Sequence, residues 1–222
     1  METVRLGTEG AYPPFAYLND DRNLEGFEID LGEEMCRRVQ LKCQWVVNDW
    51  DSIIPNLQDE KYDAIMAAMS ITEERDKLVD FTQPYYPPEA SRFAALAGAD
   101  ESVTRGRVAV QEATVQADYL DGRVAQLKEY QLAEETIDAV LQGQADSVFA
   151  GASYLREILP ESEGRLAYMG PQVVLEKGTG IAVREGDEAL LEKLDHAISM
   201  MKEDGSLNEL IAKWFGDAGQ TF

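Results

Sequence analysis

Short apolar runs alternate with amphipathic stretches along the chain, the pattern of an α/β protein in which strands feed helices and helices return to strands. VRLGTE reads as a strand, followed by the proline-containing turn GAYPPF. FEIDLGEEMCRRV reads as a helix with acids early and arginines late, as the helix macrodipole favours. CQWVVND is a second strand, DSIIPNLQDE a helix with Asp51 as its expected cap, and YDAIMAAM a third strand. That strand runs into a helix expected to be capped by Thr72, with Glu73, Glu74 and Arg75 in its first turn.

The proline-rich stretch FTQPYYPPEA marks a boundary, after which a second α/β series begins. GRVAVQ is a strand, TVQADYL a helix capped by Thr114, AEETIDAVLQGQ a helix and DSVFAG a strand. GTGIAVRE is an extended return segment, and the tail from Asp187 reads as two helices split at Asp204 and Gly205. The expectation is an α/β fold of two lobes, each a central sheet flanked by helices. Residues 1–88 form the first part of lobe 1, 89–183 lobe 2, and 184–222 the return to lobe 1, with two hinge crossings.

The length of 222 residues accommodates one large domain or two modest lobes. Apolar residues make up 45%, and no run approaches the roughly 18 apolar residues of a membrane span. A net charge of −22, from 20 basic and 42 acidic side chains, repels phosphate backbones and anionic membranes, so nucleic acid is not an expected partner. The same charge suits a solvated surface or the steering of a cationic ligand. The first strand starts close to Met1 with no basic or apolar segment before it, so an export signal is expected to be absent from this chain. Cys36 and Cys43 stand at a helix end and the following strand start, where a short turn can bring two sulfurs together. A disulfide and an oxidising compartment are expected, the alternative being two small core thiols.

Ligands of open α/β sheets bind beyond the carboxyl ends of strands, where helix N-termini present N–H groups. Two junctions fit. Ser70, Thr72 and Arg75 offer hydroxyls, backbone donors and a guanidinium suited to a carboxylate. QEATVQ supplies Thr114 with the amides of Val115 and Gln116, although capping hydroxyls of this kind also occur on ordinary helices. A third group is Glu9, Tyr12, Phe15 and Trp50, in which Tyr12 and Trp50 can face a planar or cationic group while Glu9 pairs with it. The structural alternative for these aromatics is core filling.

GTEGAYPPFAY, GFEIDL, CRRVQLKC, DWDSIIPNL, YDAIMAAMSITEER, DFTQPYY and GTGIAVR resemble, in order and spacing, the periplasmic amino-acid-binding proteins of ABC importers. The closest groups are the lysine/arginine/ornithine, histidine and opine binders. The resemblance implies a type II periplasmic binding protein fold. It also implies a monomer that closes on a small carboxylate-bearing ligand and docks on importer membrane subunits, with no cofactor, no metal and no catalytic residue. It implies that Ser70 and Arg75 hold the ligand carboxylate, with Ala67, Ala68 and Met69 lining the site beside them, and that the Thr114 and Val115 amides close on it. Tyr12 and Trp50 would sandwich the side chain, with Glu9 at its distal end, and the cysteine pair matches the disulfide of the basic-amino-acid binders.

Departures from that pattern bear on the ligand. The family carries a serine where Ala67 stands and an ammonium-binding aspartate where Gly151 stands, and its Gly-Thr-Thr is here Ala113-Thr114-Val115, with Glu112 adjacent. The AAMS stretch resembles the opine binders, so a ligand with a substituted amine is expected. Rival expectations are an enzyme like the cyclohexadienyl dehydratases, a receptor sensor domain, or an engineered or reconstructed binder. Against the enzyme, no acid stands among Ala152, Ser153 and Tyr154, and the only histidine, His196, lies in a polar helix.

Overall fold

A computed structural model describes residues 2–222, and they divide into two compact units. Unit 1 is Met1–Pro88 with Glu176–Phe222, and unit 2 is Glu89–Leu175. The chain therefore returns at 175/176 rather than at 183. The reason is pairing: Thr179 bridges Ser70 and Tyr86, and Ala182 and Val183 join a strand of unit 1, so the segment from Glu176 onward belongs there.

Unit 1 begins with β1 (Glu2–Thr8), a small antiparallel sheet of β2 (Ala11–Tyr12), β3 (Ala16–Leu18) and β4 (Leu24–Glu25), helix α1 (Phe27–Arg38) and strand β5 (Leu41–Val47). It continues through α2 (Ile53–Gln58), β6 (Ala64–Ile65) and β7 (Val79–Phe81). Unit 2 comprises β8 (Ala90–Leu96), β9 (Arg107–Gln111), α3 (Val115–Leu120), β10 (Gln126–Tyr130), α4 (Ala133–Leu141), β11 (Ser147–Gly151), α5 (Ala152–Glu161) and β12 (Leu166–Val174). Strand β13 (Ala182–Arg184) and helices α6 (Glu188–Glu203) and α7 (Ser206–Phe215) complete unit 1.

The two sheets share one plan. Unit 1 has the order β5-β1-β6-β13-β7 and unit 2 the order β10-β9-β11-β8-β12. In each, three parallel strands are followed by an antiparallel one, β13 against β6 and β8 against β11. The first parallel strand lies between the other two, so strand order reverses beside it and the sheet has a topological switch point there. The opposite ends are braced alike. Arg5 on β1 donates from its backbone N–H and guanidinium to Asp63, and Arg107 on β9 does the same to Asp146.

Burial explains the helix placement. In unit 1, α1, α6 and α7 pack apolar faces on Val4, Leu6 and Val183, and Phe15, Phe27, Tyr86 and Phe215 form an aromatic cluster with centroids 4.8–6.1 Å apart. Gly7 is required on β1 because a Cβ there would meet the buried Tyr62 ring at 2.6 Å. In unit 2, Phe93 stacks on Phe149 at 4.2 Å within a core shared with Val108, Val110 and Leu120. The expected disulfide is present, Cys36 to Cys43, with the Cα atoms 6.0 Å apart. It ties the end of α1 to β5. His196 is exposed, as expected for a polar helix face. No helix among the described residues is long and apolar enough to cross a membrane.

Candidate functional site

Strands β1, β5 and β6 run parallel, so the segments after them emerge at one edge of the unit 1 sheet. Glu9 follows β1, Trp50 follows β5, and Ala67 to Ser70 follow β6, flanking the switch point between β1 and β6. Glu9 and Trp50 are each only 8% exposed. Trp50 packs in one apolar cluster with Ala67 and Met69. The Arg75 guanidinium lies 5.3 Å from the Trp50 ring centroid, and its Nη1 donates to the Ser70 carbonyl oxygen at 2.9 Å. The aromatic face and the carbonyl hold the fork in one orientation, the arrangement a bidentate carboxylate partner needs.

Local structure differs from the expected strand and helix at this edge. Strand β6 contains only Ala64 and Ile65, because Ala68 has φ +49° and turns the backbone out of the ladder. The residues beyond it are tied instead to the return segment: the Ile71 N–H donates to the Gly178 oxygen and the Gly180 N–H to the Met69 oxygen. Thr72 is not the cap: its Oγ1 accepts from the Arg75 N–H at 3.2 Å, but the residue at the N-cap is Glu74. The expected helix is a single 3-10 turn, Arg75–Lys77, because Val79 already begins β7. Asp51 is not a cap either, since it lies inside a 3-10 turn, Trp50–Ser52, that leads into α2.

Behind the turn stands a residue that sequence reasoning missed. Glu28, in the first turn of α1, is fully buried, and its Oε1 accepts from the Ala68 N–H at 2.6 Å and from the Tyr85 hydroxyl. Its Oε2 is buried with no hydrogen-bond partner among the described residues. Burial pushes the carboxyl up to about 7, against the opposing effect of the Tyr85 and Ala68 bonds. An acid early in a helix reads from sequence as a macrodipole preference, so nothing in the pattern marked it as interior.

Unit 2 repeats the edge arrangement. β9 and β11 are parallel, which puts Thr114, after β9, and Gly151, at the end of β11, at the same end of the sheet. The Thr114 hydroxyl accepts from the Ala117 N–H at 3.2 Å and donates to the Gln111 oxygen at 2.7 Å, so it works as the cap of α3. Val115 is buried. Gly151 pairs in register with Ser91, whose hydroxyl accepts from Gln116 Nε2 at 2.9 Å.

The end of β11 is not free of acids. Glu89, just before β8, accepts from the Ser153 hydroxyl at 2.5 Å and from its N–H at 3.2 Å, and desolvation raises its carboxyl above the ordinary range. It was missed because the acid comes from the neighbouring antiparallel strand, remote in sequence from Ser153.

Of the expected site residues, the structure thus groups Trp50, Ala67, Ser70 and Arg75 in unit 1 by direct contact or shared packing. Tyr12 and Ala68 are both half-buried against the main apolar cluster of unit 1. The Met69 side chain is fully buried among Ile53, Leu57 and Tyr62, so only its backbone is left to meet a ligand. Trp50 packs beside Arg75, its ring centroid 5.3 Å from the guanidinium.

Residues 4–217 match the family described as bacterial extracellular solute-binding proteins, family 3. The chain is 34% identical to the L-arginine-binding protein of Pseudomonas aeruginosa, over 96% of this chain and 87% of that one. It is 32% identical to the lysine/arginine/ornithine-binding periplasmic protein of Escherichia coli, over 96% and 88%. Among solved structures, a periplasmic His/Glu/Gln/Arg/opine family-binding protein from Silicibacter pomeroyi, in complex with lysine, is similar at 52% identity with a TM-score of 0.95, covering 99% of this chain and 100% of that one. With the match spanning both units and the type II periplasmic binding protein fold shared by these structures, the chain belongs to family 3 of the bacterial extracellular solute-binding proteins.

Proposed function

We propose that the protein is the extracytoplasmic receptor of an ABC importer for an amino acid of basic character or a derivative of one. The observation that carries this reading is the Arg75 fork, fixed by Trp50 and the Ser70 carbonyl at the switch point of unit 1. A guanidinium so held matches a planar carboxylate. Ser70 and the backbone of the Ala67–Met69 turn complete its hold, and Glu9 and Tyr12 receive the cationic end of the ligand. The arginine and lysine named for the relatives support a cationic ligand.

In unit 2 the ligand would meet the start of α3, at Thr114 and Val115, and the end of β11, at Gly151. Glu89 gives that end a carboxylate although Gly151 has none, which supports a ligand with an amine. A second reading, an opine-type ligand, is favoured by the small side chains of Ala67 and Ala68 and by Gly151, which leave room for a substituent on that amine. Binding favours whichever conformation makes additional contacts with the ligand, by the free energy of those contacts alone. That conformation would then dock, as a monomer, on the membrane subunits.

Calorimetry with lysine, arginine, ornithine, histidine and octopine tests the reading. Binding of at least one basic amino acid or octopine is expected, and no heat from any of them contradicts it. Tightest binding to octopine selects the second reading. The relatives' names are those of binding proteins, and we propose no enzymatic step; turnover of prephenate or arogenate would overturn that.

A further inference from the structure

Glu28 sits in a closed ring of bonds around the proposed ligand corner. The start of α1 is anchored to the preceding turn, with the Phe27 N–H donating to the Pro14 oxygen at 2.9 Å and the Glu28 N–H to the Phe15 oxygen at 2.8 Å. From that anchor the carboxylate reaches the Ala68 N–H and the Tyr85 hydroxyl. Tyr85 in turn donates its N–H to the Thr179 oxygen at 2.9 Å, and Thr179 bridges Ser70, whose carbonyl holds Arg75. The ring closes through two covalent steps, Ala68 to Met69 to Ser70.

Two features of the ring call for an explanation that core packing does not give. Ala68 has φ +49°, a left-handed conformation that an alanine disfavours by about 1–2 kcal/mol. Glu28 is a fully buried acid with one oxygen unpartnered among the described residues, which costs stability relative to an apolar residue. Both follow if the bond between them exists to hold the turn in one shape. Without that bond the alanine would relax toward the common right-handed or extended regions, and Met69, Ser70 and the fork on the Ser70 carbonyl would turn with it.

We propose that Glu28 is a positioning residue for ligand binding: its carboxylate locks Ala68 in the left-handed conformation and so fixes the direction in which Ser70 and Arg75 present themselves to the ligand carboxylate. It touches no ligand itself. The inference rests on the assignment of Ser70 and Arg75 to that carboxylate.

The test is calorimetry, with L-lysine and L-arginine as probes, on the wild type and on Glu28→Gln, Glu28→Leu and the double variant Glu28→Leu/Ala68→Gly. Glutamine keeps an oxygen for the Ala68 N–H, so its affinity should stay within about three-fold of the wild type. Leucine removes the acceptor, and the affinity should fall roughly 10-fold, the factor by which an unheld alanine depopulates the left-handed state. Glycine visits that state freely, so the double variant should recover most of the loss. An unchanged affinity in Glu28→Leu, or a loss that Ala68→Gly does not relieve, overturns the inference, the second result assigning Glu28 to general core stability.

If Glu28→Leu does not fold, hydrogen exchange in the wild type decides. Saturation with ligand should slow exchange of the Ala68 amide by roughly 10-fold or more, and an unchanged rate overturns the coupling. A wild type that binds neither amino acid removes the functional reading and this inference together. Binding with a flat Glu28 series removes the inference alone.

Discussion

Arg75 and Ser70 are joined by a hydrogen bond of 2.9 Å from Nη1 to the carbonyl oxygen, so the cation and the turn beside it are one rigid element. A lysine cannot reproduce that element, because an ammonium lacks the planar fork and the stacking face. Arg75→Ala and Arg75→Lys are both expected to fold normally, since the side chain is part-buried and lies at a sheet edge, and to lose roughly 2–5 kcal/mol of ligand affinity. Circular dichroism checks the fold and calorimetry the affinity. A lysine variant that binds like the wild type would show that charge alone suffices.

The buried Glu28 carboxyl makes stability depend on pH. Its value in the folded protein is raised to about 7 from 4.5, so the folded state holds the proton more tightly than the unfolded chain. Its contribution is therefore fully present below about 4.5 and is lost as the pH rises through about 7. The ionisable group bearing on it is Tyr85, which donates to it. Denaturant melts of the wild type should lose about 2–3 kcal/mol of stability between pH 5 and pH 8 relative to Glu28→Gln. Parallel pH profiles for the two proteins would mean that Glu28 does not titrate in that window.

Cys36 and Cys43 close a short loop between α1 and β5. Cross-links over short loops remove little chain entropy from the unfolded state, so the double substitution to serine should cost about 2 kcal/mol and leave the fold intact. The reduced wild type should show the same shift in thermal midpoint. A chain that fails to fold without the bond would make it essential.

Net charge of −22 should draw a cationic ligand to the protein over distance. Stopped-flow association rates for lysine are expected to fall as salt rises, with dissociation rates changing less. An association rate independent of salt would leave the charge a matter of solubility.

The alternation of apolar runs and amphipathic stretches made β1, β5, β6, β9, β11 and β13 legible, but not β7, β8, β10 or β12: β10 carries no buried residue, and β8 and β12 are held by antiparallel pairing with each other. The disulfide was legible from the spacing of Cys36 and Cys43. What was not legible depended on pairing remote in sequence. The return to unit 1 at Glu176 follows from the bridge of Thr179 to Ser70, which no local signal announces. The helix after Thr72 shrinks to one turn because Val79 is claimed by β7. Glu28 and Glu89 act on residues that α1 packing and antiparallel strand pairing bring to them, and from sequence each is an ordinary acid near a helix or strand start.

The most direct measurement is a thermodynamic cycle between Arg75 and the ligand carboxylate, using lysine and lysinamide on the wild type and on Arg75→Ala. If the fork grips the carboxylate, removing either partner should cost much the same, and removing both should cost little more than one, a coupling of about 2 kcal/mol or more. Losses that simply add would place the carboxylate elsewhere and contradict the account.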